Sequence, residues 1–371
     1  MKVRSLIFGM LCMLALGAGF ASCSDDDDDD RREDTGSQVE LPRHRVFILN
    51  QGSWEYNNAS IAFYAPNGDA DFISDIFKKQ NNAALGDNGQ DLIEYEDRMY
   101  VAVNGSNYLA MLNAAGVEQK RVSFAGDADL SAGIRYLAAE DGYIYASFYN
   151  GFIAKINANT LAVEARLGGL GDSLEGVAIC DDVLYVANSY KQEGGAYIYN
   201  TNLVAVDLRT FTKKADLTVA INPNRLVEEE DRIFLLSKGD YADKPSSLQM
   251  IEPKNGNKIT EFGEATVMCA ANDMLYWVAS TTEDWTYYTT TFHKYDIKSG
   301  QTSVINLAAQ APELATTNIG MIAVNDDNGD IYVGTASYTT NGNIYHFKKN
   351  GTLVKKFDCG GLNPFAAVFF D

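Results

Sequence analysis

The chain has 371 residues, of which 46% are hydrophobic and 22% charged, a balance that is typical of a globular protein with a sizeable core. Its 50 acidic and 30 basic residues give a net charge of -20. This charge argues against nucleic acid and anionic lipid surfaces as partners, because binding phosphates requires clustered Lys and Arg.

The first 22 residues have the features of a lipoprotein signal peptide. A basic start precedes an apolar run from Leu6 to Phe20, which is too short for a comfortable membrane span. Small residues then stand directly before Cys23, as in a lipobox, where the cysteine becomes the lipidated first residue of the mature protein. We therefore predict a signal peptide over residues 1–22 and lipidation of Cys23.

An acidic run follows the predicted lipidation site. The six consecutive aspartates Asp25–Asp30 repel one another and cannot pack, so residues 23–42 are predicted to form a disordered tether. Cysteine and serine followed by such a run also resemble the export signal of Bacteroidetes surface lipoproteins. The resemblance implies a lipid anchor in the outer membrane, with the domain on the extracellular face.

From residue 43 onward the chain repeats one pattern of short strands about every 40 to 54 residues. Each unit contains an apolar strand, an acidic turn and a second strand rich in aromatic and apolar residues. This spacing is typical of the four-stranded blades of a β-propeller. Six segments follow the pattern: Asp91–Val103, Ile134–Phe148, Glu175–Ser189, Asn224–Lys238, Thr266–Ser280 and Gly320–Ala336.

A seventh unit is divided between the two ends of the chain. Residues 44–77 supply three strands, the last of them extending to Phe77, and Asn363–Asp371 matches the first strand of the other units. Joining the two ends closes a ring and removes its open edges. We therefore predict an all-β, seven-bladed β-propeller over residues 43–371, closed by the C-terminal strand. A β-helix or a sandwich is the alternative, but neither explains the C-terminal half-repeat.

Short motifs in these repeats indicate a family. The segments Tyr185–Asn188 and Ile331–Val333 resemble the YVTN-type repeat of YncE-like propellers. The opening strand Phe47–Gly52 is similar to that of the Bacteroidetes surface-layer propellers, a group that includes BtuG-like cobalamin-binding lipoproteins. The resemblance covers the whole chain. It implies a surface lipoprotein that binds a corrinoid, cobalamin, and passes it to a TonB-dependent transporter of the outer membrane.

Propeller topology places the loops between second and third strands on one face. These loops are longer than the acidic turns opposite and carry many aromatic residues, which offer large contact areas with polar tips. This face is therefore predicted to bind one large, partly apolar ligand; the alternative is that the rings pack the loops against one another. The candidate ligand-binding residues are Trp54, Tyr56, Asn58, Tyr108, Tyr149, Tyr190, Tyr241, Trp285, Tyr287 and Tyr338.

Two arginines near the starts of inner strands extend this candidate site. Arg135 and Arg225 are predicted to line the top of the central channel, where each would hold a phosphate or carboxylate of a ligand. The alternative is that they pair with Asp91 and Glu175 between blades.

Residues suited to covalent catalysis or metal binding form no recognisable pattern. The histidines His44, His293 and His346 show no metal-ligand spacing, and the cysteines after Cys23 are scattered. The segment Asp326–Asp330 superficially suggests a calcium loop, but it lacks the long frame and the closing Glu. No catalytic residue, metal site or cofactor is predicted, and the sequence favours a binding protein over an enzyme.

Three functions stay open at this point. The first is capture of a corrinoid at the cell surface and its delivery to the transporter. The second is a glycan- or protein-binding surface module, because aromatic rings stack on sugars as well. The third is a propeller hydrolase or lyase whose site is assembled from several blades.

Overall fold

The computed structural model describes residues 34–66, 72–283 and 286–371. The predicted signal peptide, Cys23 and the aspartate run lie outside these residues. In the described part of the chain, no helix is both long and apolar enough to cross a membrane. The described residues form seven antiparallel sheets of four strands each, which confirms the predicted seven-bladed all-β propeller.

Every sheet is one blade, with its strands ordered from the central channel to the rim. In chain order the strands are β1 Arg45–Asn50, β2 Ser60–Tyr64, β3 Phe72–Ile73, β4 Gly89–Tyr95, β5 Arg98–Val103, β6 Tyr108–Leu112, β7 Glu118–Ser123, β8 Ile134–Glu140, β9 Tyr143–Phe148, β10 Ile153–Asn157, β11 Val163–Leu167, β12 Ser173–Cys180, β13 Val183–Glu193, β14 Ala196–Asp207, β15 Thr212–Thr218, β16 Pro223–Glu229, β17 Arg232–Ser237, β18 Ser247–Glu252, β19 Lys258–Gly263, β20 Val267–Ala271, β21 Met274–Thr282, β22 Tyr288–Asp296, β23 Gln301–Val304, β24 Ile319–Val324, β25 Ile331–Thr335, β26 Asn343–Phe347, β27 Leu353–Asp358 and β28 Pro364–Phe370. Blade 1 consists of β28, β1, β2 and β3, and blades 2 to 7 take the remaining strands in consecutive fours.

Burial along a strand depends on its position in the blade. All six residues of β1 and all five of β2 are buried, because neighbouring blades cover both faces of these strands. The rim strand β7 is mostly exposed. The continuous apolar runs that mark the middle strands in the sequence therefore reflect packing on two sides.

The acidic turns between first and second strands have a backbone conformation that explains their regularity. Glu96 and Asp97 have φ angles of 52° and 58°, and Asp181 and Asp182 have φ angles of 51° and 57°. Two successive residues with positive φ form the tight hairpin that matches the twist of antiparallel strands. The carboxylates thus belong to repeated structural turns.

The first and last strands meet in blade 1, as predicted. Strand β28 pairs with β1 from Arg45 opposite Phe370 to Leu49 opposite Ala366. The inner strands β4, β8, β12, β16, β20, β24 and β28 each contact the next, and β28 returns to β4, so the ring is complete.

The third strand of blade 1 is much shorter than expected. Instead of extending to Phe77, β3 ends at Ile73 and is followed by the helix α1, Ile76–Asn81. The Asp75 carboxylate accepts a 3.0 Å hydrogen bond from the Lys78 backbone N–H and caps this helix. Ile76 and Phe77 are fully buried in the core of blades 1 and 2, so burial on one helical face replaces strand pairing here. Short 3-10 helices at Pro253–Asn255, Leu307–Ala309 and Pro312–Thr316 complete the regular structure of the described chain.

The structured domain begins earlier than the predicted boundary at residue 43. Arg45, whose side chain is buried, donates hydrogen bonds of 2.6 and 2.7 Å to the carboxylate of Asp34 and one of 2.7 Å to the backbone oxygen of Pro42. Leu41 is buried in the core, and Val39 packs against it. Residues 34–42, assigned to the tether from composition, are therefore part of the folded domain, because they satisfy a buried guanidinium.

A protein that starts at residue 43 should be less stable than one that starts at residue 34. Its Arg45 guanidinium would lose Asp34 and Pro42 while staying buried, which costs about 1–3 kcal/mol. Urea unfolding followed by tryptophan fluorescence measures the difference, with the full-length protein as reference. Equal midpoints for the two shortened proteins would show that residues 34–42 contribute nothing to the fold.

Candidate functional site

Three adjoining cavities open on the face that carries the loops between second and third strands. Their volumes are about 470, 310 and 270 Å³. Lys238 lines all three, Tyr241 lines the first two, and Tyr338 lines the first and third. The cavities therefore form one continuous depression. We call it the mouth, defined as the residues that line these three cavities, and the cavity of about 270 Å³ is its centre.

A wall of tyrosines borders the cavity of about 310 Å³. Strands β13 and β14 extend beyond the length of most blade strands and place Tyr190 opposite Tyr199. The rings of Tyr190 and Tyr197 meet edge-to-face at 5.3 Å between centroids, and those of Tyr199 and Tyr241 at 5.8 Å. Such contacts hold the rings in place before any ligand arrives, because offset and edge-to-face geometries are the favoured aromatic arrangements.

The loop between β17 and β18 presents Tyr241 in a defined conformation. The Asp240 carboxylate accepts hydrogen bonds of 2.9 and 2.8 Å from the backbone N–H groups of Ala242 and Lys244, which lowers the pKa of this carboxyl. Gly239 has a φ of 69°, and a Cβ there would lie 2.1 Å from the backbone oxygen of Lys244, so only glycine fits. Tyr241 remains exposed at the edge of the mouth.

Arg135 takes the structural alternative that its position left open. Its Nε and Nη2 donate hydrogen bonds of 3.0 and 2.7 Å to the Glu175 carboxylate of the neighbouring blade, and Nη1 donates to Gln90. The guanidinium carbon also lies 4.2 Å from the ring centroid of Tyr149. Arg135 and Glu175 are both buried, so this arginine joins blades 3 and 4 and fixes Tyr149 at the side of the mouth.

Arg225 behaves differently from Arg135. It lines the centre of the mouth, with its guanidinium carbon 5.1 Å from the ring centroid of Phe365. Asp91, one of the two carboxylates in the structural alternative, is buried and accepts hydrogen bonds from the backbone N–H groups of Leu92 and Leu137. Arg225 forms no ion pair with Asp91 or Glu175 in the described chain, and it lines the cavity as predicted.

Lys238 is a functional candidate that the sequence reasoning missed. The Lys238 side chain is exposed to the mouth. The protein groups around its ammonium nevertheless exclude part of the water that would hydrate the charge. This desolvation lowers the pKa of the ammonium; Arg135 and Arg225 act in the same direction, and Glu175 acts against it. The available signal was its place directly after β17, at the start of a loop between second and third strands.

Several predicted residues lie elsewhere on the molecule. Tyr108 is only 3% exposed; its hydroxyl donates to the backbone oxygen of Leu85, and the Arg121 guanidinium carbon lies 3.9 Å from its ring centroid. Tyr108 is therefore a packing residue and not part of the mouth. The Asn58 side-chain oxygen accepts a 2.8 Å hydrogen bond from the Ser53 backbone N–H, so Asn58 shapes its own loop.

Three further aromatic candidates do not line the mouth. Trp54 and Tyr56 are 56% and 75% exposed on the loop after β1, and Tyr287 is 75% exposed before β22. Trp285 lies outside the described residues. Of the predicted set, the structure brings together Arg135, Tyr149, Tyr190, Arg225, Tyr241 and Tyr338.

Two acidic sites outside the mouth contain basic partners. Asp330, in the turn that resembled a calcium loop, contacts His346 and Lys348 at 2.8 Å each. The cluster of Cys180 with Asp181 and Asp231 includes Lys254, whose ammonium lies 2.7 Å from Asp231. Burial raises the pKa of the Cys180 thiol to about 12, which opposes the thiolate that a metal requires.

Comparison with known proteins identifies the family. Over residues 44–370 the chain matches the family described as "Domain of unknown function (DUF5074)", and it belongs to that family. Curated proteins yield no match.

Solved structures with a similar fold are distant in sequence. The chain is similar to the WD40 repeats of RRP9 with a TM-score of 0.54 and 10% identity, covering 73% of this chain and 80% of that one. It is also similar to U3-55K with the same TM-score and identity, covering 73% and 81%. At this identity the likeness shows the propeller fold alone.

Arg135→Met should destabilise the protein by about 3–5 kcal/mol, because it leaves the Glu175 carboxylate buried without its partner. The double variant Arg135→Met/Glu175→Gln should recover most of this loss, since neither buried charge remains. Chemical unfolding of wild type, both single variants and the double variant gives the coupling energy. Additive effects would show that the two residues do not stabilise the fold as a pair.

Proposed function

We propose that this DUF5074 propeller is a non-catalytic, lipid-anchored surface protein that captures one bulky ligand, a corrinoid such as cobalamin, in its mouth. The observation that carries the proposal is the continuous depression of three cavities, walled by tyrosines that already contact one another. Concave sites of several hundred Å³ lined by aromatic groups and a few polar ones are typical of small-molecule binding.

The chemistry of the mouth supports a large, flat, amide-bearing ligand. Tyrosine rings offer flat apolar surface with hydroxyls at the edge, which suits a macrocycle that carries polar side groups. Side-chain amides of Asn224 and Asn318 stand among them and can both donate and accept hydrogen bonds. Corrinoid as the ligand class comes from the resemblance to BtuG-like propellers, and the mouth is compatible with it.

The positions of the three histidines favour binding over catalysis. His346 is buried beside Asp330, His44 contacts Asp371 at 2.8 Å, and His293 stacks on Trp277 with 5.0 Å between ring centroids. These three histidines have structural neighbours and do not line the mouth in the described chain.

The cellular part of the proposal rests on the N-terminal signals. A lipid on Cys23 and the acidic run after it would hold the propeller at the outer face of the outer membrane. The tether would let the propeller meet a TonB-dependent transporter, to which it would deliver its ligand. Retention of the protein in the outer membrane, lost in Cys23→Ser, tests this step separately from ligand binding.

Calorimetric titration of the purified protein with cyanocobalamin tests the ligand directly. One-to-one binding, with the red colour retained on a desalting column, would support capture of a corrinoid. No heat and no retained colour would refute the corrinoid. A glycan array tested in parallel then decides whether the tyrosine wall binds sugars, the second candidate, since exposed rings such as that of Tyr197 also stack on pyranose faces.

Tyr241→Ala should weaken cyanocobalamin binding about tenfold or more, because it removes an aromatic contact shared by two cavities of the mouth. Tyr56→Ala is the matched control, since Tyr56 is also an exposed loop tyrosine but lies outside the mouth. The affinities come from calorimetry, and the melting temperatures should stay within a few degrees of wild type. Unchanged affinity in Tyr241→Ala would contradict the tyrosine wall as the binding surface.

A further inference from the structure

The centre of the mouth has a charge opposite to that of the whole protein. The chain carries 50 acidic and 30 basic residues. Among the described residues that line this central cavity, however, Arg225 and Lys238 are the charged ones and no carboxylate occurs. The other polar groups of the lining are the side-chain amides and hydroxyls of Gln51, Asn224, Asn318, Asn363, Thr266, Tyr136 and Tyr338.

Neither central cation has a carboxylate at ion-pair distance in the described chain, although Asp91 attracts Arg225 and Glu175 attracts Lys238 over a longer range. Arg135 nearby shows the contrast, because its guanidinium is held by Glu175 at 2.7 Å. Arg225 is instead supported from one side by the Phe365 ring, which leaves its N–H groups free to bind a ligand. Lys238 makes no hydrogen bond through its ammonium to any described residue, although it lines all three cavities.

The carboxylates that attract these cations already accept other hydrogen bonds. Glu175 accepts two hydrogen bonds from Arg135. Asp91 lies buried beneath the mouth, and its two oxygens accept from backbone N–H groups. Two positive charges therefore face the central cavity with their hydrogen-bonding capacity unused.

A buried amide points to the same place. Asn363 lines the central cavity and is only 6% exposed, yet neither its side-chain oxygen nor its side-chain nitrogen has a hydrogen-bond partner. Its backbone is fixed by a 2.9 Å hydrogen bond from the Gln51 N–H to the Asn363 oxygen, and its φ of 53° is one that Asn tolerates. Unsatisfied buried polar groups are rare and cost free energy, so a bound group would supply the missing partner.

We propose that the centre of the mouth is a subsite for an anionic group, a phosphate or a carboxylate, bound by Lys238 and Arg225 with the Asn363 amide donating a third contact. The planar guanidinium of Arg225 matches the paired oxygens of either group, and the Lys238 ammonium supplies a mobile point charge. The subsite takes its setting from the proposed function, because it would anchor one end of the captured ligand. It does not require that ligand to be a corrinoid.

Titration with inorganic phosphate and with succinate at low ionic strength tests the subsite, followed by amide chemical shifts in NMR. At least one anion should bind at the mouth, and Lys238→Met and Arg225→Met should each weaken it about tenfold or more. Lys214→Met is the matched control: it removes the same charge, but Lys214 is exposed on β15 and lines none of the three cavities that form the mouth. Binding of one anion and not the other identifies the group that the subsite takes.

A second variant covers the case in which a charge removal changes the fold. Asn363→Asp keeps size and backbone preference but places a carboxylate in the cavity, and it should abolish anion binding with little change in melting temperature. Failure of both anions to bind, or equal weakening in Lys214→Met and Lys238→Met, would overturn the subsite. Phosphate binding without cyanocobalamin binding would refute the corrinoid and leave the subsite standing, whereas the reverse pattern would refute the subsite alone.

Discussion

The pairing of β28 with β1 is the constraint on which the rest of the molecule depends. It brings together residues more than 300 positions apart in the sequence and turns seven separate sheets into a ring. Because the ring closes, each inner strand has a neighbour on both sides, and Phe47 can pack edge-to-face against Phe63 and Phe370. Closure also gathers the loops of all blades around one axis, where single side chains from distant repeats form a common depression.

The distribution of charge follows from this geometry. Acidic pairs occupy the hairpin turns between first and second strands, where positive φ angles favour short polar residues. Cations occur at the opposite ends of inner and second strands, where Arg225 and Lys238 face the channel. A protein with a net charge of -20 thus has a positive centre on its loop face. An anionic group that reached this centre would meet a local positive potential despite the net negative charge of the protein.

Length differences between blades shape the mouth. The hairpin of β13 and β14 and that of β21 and β22 extend further than those of most other blades, and the loop with Tyr241 lies between them. Tyrosines on the first hairpin contact one another and Tyr241, so part of the conformational entropy that binding would cost is already lost in the free protein. The irregularities of the repeat, more than the repeat itself, thus create the mouth.

Repetition made the architecture readable from sequence, whereas long-range pairing decided the site. Alternating apolar strands and acidic turns are local patterns, so the seven blades, the closing strand and the loop-rich face followed from sequence alone. Local patterns could not decide which arginine forms an ion pair with Glu175, because Arg135 and Glu175 stand on different blades. They also could not reveal that Tyr108 is buried while Lys238 faces the mouth. The folded conformation of residues 34–42 likewise depends on Arg45. The guanidinium of this residue is buried and forms an ion pair with Asp34. The sequence alone determined the strands and turns of each blade. The tertiary structure determined which side chains from different blades meet, because those contacts form between segments that no local pattern connects.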